Sequence, residues 1–179
     1  ADDEERGALG MHYTSVPNIL KVLNQLFLDD LRTQLEAAGD NKIKLLNLRK
    51  RMARIRVFDP ACGSGNFLVI SYRELKLLEF EVLKSLGSLL QLVHIEQFYG
   101  FEIEELPSRI TATAMLLIEH QMSLVFAQIF GEPQFNIPIR DSANIFNITA
   151  LQADWEKVLK GVEISYIIGN PPFLGKSEM

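Results

Sequence analysis

Asn170-Pro171-Pro172-Phe173 is the stretch whose composition constrains its chemistry most tightly. Two prolines fix φ and donate no backbone hydrogen bond, so the loop is stiff and its carbonyls point outward. The Asn170 side-chain oxygen and the Pro171 carbonyl are then two neighbouring acceptors, suited to holding a group that carries two N–H donors. Taken alone, the tetrapeptide also reads as a Pro-rich turn closing a buried strand.

Far upstream lies Asp59-Pro60-Ala61-Cys62-Gly63-Ser64-Gly65-Asn66-Phe67. Gly63 and Gly65 can adopt positive φ and let backbone amides approach a ligand, while a helix N-terminus beyond them favours a negative group. No Gly-Lys-Ser/Thr is present to form a phosphate loop, and the spacing is not Gly-x-Gly-x-x-Gly. What remains is a site for a ligand with an amino acid end and a ribose end. The third cluster is Phe98-Tyr99-Gly100-Phe101-Glu102-Ile103-Glu104. Glu102 falls where a strand ends, and one carboxylate can accept from both ribose hydroxyls. Ile103 is then next to an adenine face. Glu104 and Glu105 suit the cap of a helix beginning near Pro107.

These clusters need strands that end beside one another. Ile55–Phe58, Gln97–Ile103, Asn144–Ile148 and Ile164–Ile168 are short apolar or β-branched runs, each bounded by turn residues. Helices are predicted between them: from Ser15, with Leu20, Leu23, Phe27 and Leu31 on one face; after Gly65, with a stripe of Leu68, Leu75, Leu78, Val82 and Leu86; from Pro107, with Ile110, Ala114, Leu117 and Leu124; and briefly at Asp154-Trp155. Strands alternating with helices imply an α/β fold with a parallel sheet covered on both faces. The 179 residues, 47% of them hydrophobic, suffice for one packed domain.

Net charge is -5, whereas a surface that wraps duplex DNA unaided is usually basic. The single cysteine, Cys62, excludes an internal disulfide and fits a cytoplasmic compartment. No apolar run approaches the roughly 20 residues needed to cross a bilayer, and residues 1–11 read as a polar arm. No metal-ligand spacing is apparent. The start without Met and the stop at Met179 suggest an excerpt of a longer polypeptide. Lys42, Lys44, Arg49, Lys50, Arg51, Arg54 and Arg56 form a basic run, read as a solvated face with Ile43, Leu46 and Ile55 packed opposite, a DNA-facing helix being the alternative. His120 reads as a core or boundary histidine and Trp155 as packing.

Asp59–Phe67 resembles motif I of the amino-methylating DNA methyltransferases, and Asn170–Phe173 resembles their catalytic loop. His12-Tyr13-Thr14-Ser15 looks like the N-terminal motif of the branch in which the cofactor region precedes that loop. Ser71-Tyr72-Arg73-Glu74-Leu75, Gln97-Phe98-Tyr99-Gly100 and Glu119-His120-Gln121-Met122 are similar to the MmeI-like (Type IIL) enzymes, which carry restriction and modification on one chain. The resemblance runs from about His12 to Lys176.

It implies S-adenosylmethionine as cofactor. Asp59 would sit near its amino group, with Ala61, Cys62, Gly63, Gly65 and Phe67 forming the loop around it, Tyr13 and Thr14 at its methionine end, Glu102 on the ribose and Ile103 on the adenine. Where the family has an acidic or amide residue for the adenine amino group, this chain has Thr149-Ala150-Leu151; Asp141 and Asp154 are the nearby alternatives. The implied reaction is methyl transfer to N6 of an adenine flipped out of DNA. Asn170 and Pro171 would hold the amino group, Pro172 would stiffen the loop and Phe173 would stack on the base. No metal or covalent enzyme intermediate is needed, and Cys62 is a packing residue. Methylation of RNA adenine or protein glutamine, or a non-catalytic cofactor-binding remnant, are the alternatives.

The family sheet has the order 3-2-1-4-5-7-6, of which four strands are placed here. Residues 12–179 would be a partial methyltransferase domain with its C-terminal half and target recognition elsewhere. DNA is the expected partner, mainly through those other regions, with no membrane role. The 179 residues alone would self-associate.

Overall fold

Ser15 has extended backbone and Pro17 sits in the first turn of α1 (Val16–Leu23), where its missing N–H costs nothing. A π-helical turn, Asn24–Leu28, links α1 to α2 (Asp29–Ala38) in one continuous rod. Arg32 binds Asn24 at 2.8 Å and Asp29 at 3.1 Å across that turn. The computed structural model describes residues 14–131 and 142–170.

Gly39 (φ 49°) ends α2, and Asn41 caps α3 (Lys42–Arg54) by accepting from the Lys44 amide at 3.1 Å. The buried face of α3 is Leu45, Leu48 and Met52. Ile43 and Leu46, expected on that face, are 72% and 38% exposed; Ile55 is buried as expected. Much of the basic run is structural. Arg51 pairs with Asp30 at 2.7 Å, Arg49 reaches Ser88, and Arg54 and Arg56 bind carbonyls of their own helix end.

Four parallel strands, β1 (Val57–Asp59), β2 (Phe98–Phe101), β3 (Asn144–Phe146) and β4 (Tyr166–Ile167), form a sheet in the order β3-β2-β1-β4. That is the predicted order. Asp59 lies in register with Gly100, and Val57 with both Phe98 and Tyr166. The strands are shorter than the apolar runs that announce them. Ile55, for instance, closes α3, and its carbonyl accepts from the buried Gln97 amide at 2.8 Å.

α4 (Asn66–Leu86) and α5 (Glu105–Phe130) pack together along the sheet, and α6 (Trp155–Leu159) is short. The α4 stripe is buried as predicted, apart from the half-buried Leu86. The predicted α5 stripe is rotated. Ser108, Thr111, Met115, Ile118, Met122 and Phe126 face the core, while Ile110, Leu117 and Leu124 are 46%, 60% and 54% exposed. α5 has apolar residues on nearly every side, so spacing alone does not select its inner face. By length and composition α5 could also cross a bilayer, contrary to the sequence expectation; here its inner face is packed on α4 and β3. His120 is exposed rather than in the core. Trp155 packs edge-on against Phe58 and Phe101, with ring centres 5.1 and 6.1 Å apart.

Candidate active site

At the carboxyl end of β1, Asp59 is 2% exposed and accepts from the Ala61 amide at 3.1 Å. The loop then crosses towards β2, where the Cys62 amide donates to the Phe101 carbonyl at 2.9 Å. Gly63 and Gly65 have φ of 54° and 87°, the left-handed values expected of them. At Gly65 a side chain is also excluded by space, because a Cβ there would lie 2.7 Å from Thr111 Cγ2. The Thr111 hydroxyl donates to the Gly63 carbonyl at 2.7 Å and so fastens the loop to α5.

Glu102 follows β2 and holds the same loop from the other side. One carboxylate oxygen accepts the Gly63 amide at 2.9 Å and the other accepts the Glu104 amide at 3.0 Å. A carboxylate offers about four acceptor positions, which leaves acceptor capacity for hydroxyl donors above the loop. Glu104 occupies the N-cap position of α5 without a side-chain cap bond, and Glu105 pairs with Arg109. Ile103 is 67% exposed. The Asn147 amide fixes this corner by donating to the Glu102 and Ile103 carbonyls, both at 2.9 Å.

Thr149 and Ala150 are half-buried just after β3, and Leu151 is 97% exposed. The Ala150 carbonyl accepts from the Trp155 indole at 2.8 Å. Asp154 is committed to α6, accepting from the Lys157 amide and pairing with its ammonium at 3.1 Å. Phe67 is turned into the core.

β4 delivers Asn170 to the same edge. The Ile168 amide donates to the Phe58 carbonyl at 2.9 Å, and Gly169 (φ 135°) passes so close to Asp59 that a Cβ would sit 2.5 Å from Asp59 Oδ1. Asn170 Nδ2 then donates to the Thr14 hydroxyl at 3.1 Å. Thr14, Asp59, Gly63, Glu102 and Asn170 thus gather along one end of the sheet, where open α/β folds bind ligands. Tyr13, Pro171, Pro172, Phe173 and Asp141 lie outside the described residues.

Burial raises the Asp59 carboxyl to about 7, the Ala61 amide opposing and the Glu102 charge assisting. Burial, with the Asp59 charge, pushes the Cys62 thiol up to about 12. It is a protonated packing group, 4.0 Å from the Thr111 hydroxyl. Among the described residues no group of three or more His, Cys, Asp or Glu side chains could hold a metal.

The sequence reading missed Thr111 and Asn147. Asn147 carries no local signal. Thr111 does: it is a small polar residue on a buried helix face, and such a group needs a partner.

Residues 35–179 match the family described as MmeI, DNA-methyltransferase domain. DNA methyltransferase A of Bacillus subtilis (strain 168) is 40% identical over 187 residues, covering 99% of this chain and 21% of that protein. The structure of the Type IIL restriction-modification enzyme MmeI in complex with DNA superposes with a TM-score of 0.90 at 46% identity, covering 99% of this chain and 25% of that one. The chain therefore spans about a fifth to a quarter of these two relatives. On the extent of the family match, the chain belongs to the MmeI DNA-methyltransferase domain family.

Proposed function

We propose that this region binds S-adenosylmethionine at the carboxyl ends of β1 and β2. Within the full-length protein it serves transfer of the methyl group to N6 of a flipped DNA adenine, as the modification activity of a cytoplasmic restriction-modification system. The observation that carries the reading is the convergence of a buried carboxyl, a loop-bound carboxylate and an Asn side chain on one sheet edge. Asp59 suits a cationic amino group, Glu102 suits ribose hydroxyls, and Ile103 and Thr149–Leu151 flank the position for the adenine. Residues 12–179 form part of the methyltransferase domain, and duplex contacts come mainly from elsewhere, as the net charge of -5 requires.

The cofactor supplies a methyl group activated by a sulfonium. The protein's contribution is to hold the acceptor. Asn170 Oδ1 and the Pro171 carbonyl accept from the two N–H groups of the exocyclic amine, opposing delocalisation of its lone pair into the ring. Phe173 stacks on the flipped base.

Mass spectrometry of digested DNA from cells expressing the full-length protein should find N6-methyladenine. Asn170→Ala should lower its formation at least about a hundredfold while cofactor affinity persists. Methylcytosine alone would sink the substrate assignment, and full activity in Asn170→Ala would sink the mechanism. Residues 1–179 alone should transfer no methyl group and should self-associate, since β4 carries the 58%-exposed Ile167 and α5 an exposed apolar face. Light scattering showing a stable monomer would contradict the second expectation.

A further inference from the structure

Thr14 and Asn170 are 156 residues apart in sequence, yet their side chains meet at 3.1 Å. The backbone on the Asn170 side is already fixed, by the Ile168 amide on Phe58 and by Gly169 against Asp59. What the backbone leaves free is the amide itself, because the last torsion of an Asn side chain is broad and nearly two-fold. In one orientation its oxygen faces the substrate position. In the other its NH2 does, and would meet the amine of a base donor to donor.

A neutral hydroxyl satisfies either orientation, since it can accept from Nδ2 or donate to Oδ1. Its single proton decides between them. Thr14 immediately precedes Ser15, the N-cap of α1, so the positive end of that helix lies beside it. Resting on the function proposed above, we infer that Thr14 is a positioning residue for Asn170, whose hydroxyl donates its proton to the cofactor's carboxylate and can then only accept from Asn170 Nδ2. Cofactor occupancy thereby fixes the Asn170 oxygen towards the base. One hydroxyl couples the two halves of the site: the Nδ2-to-Thr14 orientation is one of two open to the ligand-free amide, and a bound methyl donor excludes the other.

The test uses Thr14→Val and Thr14→Ser in the full-length protein. Calorimetry with S-adenosylhomocysteine reads the cofactor contact, and single-turnover methylation of DNA that the enzyme modifies, at saturating S-adenosylmethionine, reads the positioning. Thr14→Val should lose about tenfold in affinity and, separately, about tenfold or more in the saturated rate, while Thr14→Ser keeps both within about threefold. In an Asn170→Ala background, Thr14→Val should cause no further loss of rate, because it acts through Asn170. A wild-type saturated rate in Thr14→Val would overturn the inference and leave a cofactor contact alone. Failure of Thr14→Ser to rescue, or full additivity with Asn170→Ala, would also overturn it. If the wild-type protein binds no S-adenosylhomocysteine, the underlying functional reading falls instead.

Discussion

Two buried acids, Asp59 and Glu79, sit at opposite ends of completeness. Glu79 lies on α4 and is fully buried, yet its carboxylate is saturated. It accepts from the Lys76 ammonium at 2.7 Å and from the Leu92 and Val93 amides at 2.6 and 2.7 Å. Lys76 also donates to Gln91 and to the Val93 carbonyl, so the pair ties down the segment after α4. Burial pulls the Lys76 ammonium below its ordinary range, and Glu79 opposes that pull. Asp59 is almost as buried, but among the described residues it has one amide donor and no cation, and the nearby charge of Glu102 makes matters worse. A fold that can satisfy a buried acid does so at Glu79. That it leaves Asp59 with a single amide donor is what the proposed role, pairing with the cationic amino group of a cofactor, would account for.

The contrast can be broken at either acid. The largest effect is expected at the complete one. Lys76→Met strands Glu79 without its counter-charge and should cost about 3–5 kcal/mol of stability, read from denaturant midpoints, with cofactor affinity in the folded protein unchanged. A loss under about 1 kcal/mol would mean that the two amides suffice. Next is Glu102→Ala, which removes the acceptor of the Gly63 and Glu104 amides as well as that proposed for the ribose. S-adenosylmethionine affinity should fall by about 1–3 kcal/mol, and unchanged affinity would remove Glu102 from the site. For Asp59→Asn no loss of stability is expected. Because the folded-state pKa is raised, the ionised carboxylate is a burden to the ligand-free fold. That burden is absent below about pH 4 and grows up to about pH 7. The ligand-free variant should therefore be no less stable than wild type at pH 8, and its relative gain should shrink towards pH 4. A clear loss at pH 8 would show that Asp59 stabilises the fold itself.

The sequence carried the strands and the glycine-rich turn because those features are local, whereas the strand order came with the family resemblance. Asp59–Gly65 must turn tightly between a strand and a helix, and Gly63 and Gly65 declare it by their positive φ. The inner face of α5 was not legible, since a helix apolar on most sides offers several equivalent stripes. The cue that would have chosen correctly is Ser108 and Thr111, two buried polar residues on one face, of which Thr111 is satisfied across the chain at Gly63. Lys76 and Glu79, three residues apart, look like an ordinary solvated pair. Only the segment of Gln91, Leu92 and Val93, brought over them by the tertiary fold, makes them a buried network. The Glu102–Gly63 bond is likewise invisible locally, because its partners are 39 positions apart.

The claim that Asp59 awaits the cofactor's cation is tested most directly by titrating the full-length protein with S-adenosylmethionine in a calorimeter at pH 5, 6 and 7. Binding requires the ionised carboxylate, whose pKa in the ligand-free fold is about 7. Affinity should therefore rise about tenfold from pH 5 to 6 and about fivefold from pH 6 to 7, while Asp59→Asn should bind weakly with no such slope. Affinity independent of pH, together with wild-type binding by Asp59→Asn, would contradict the account.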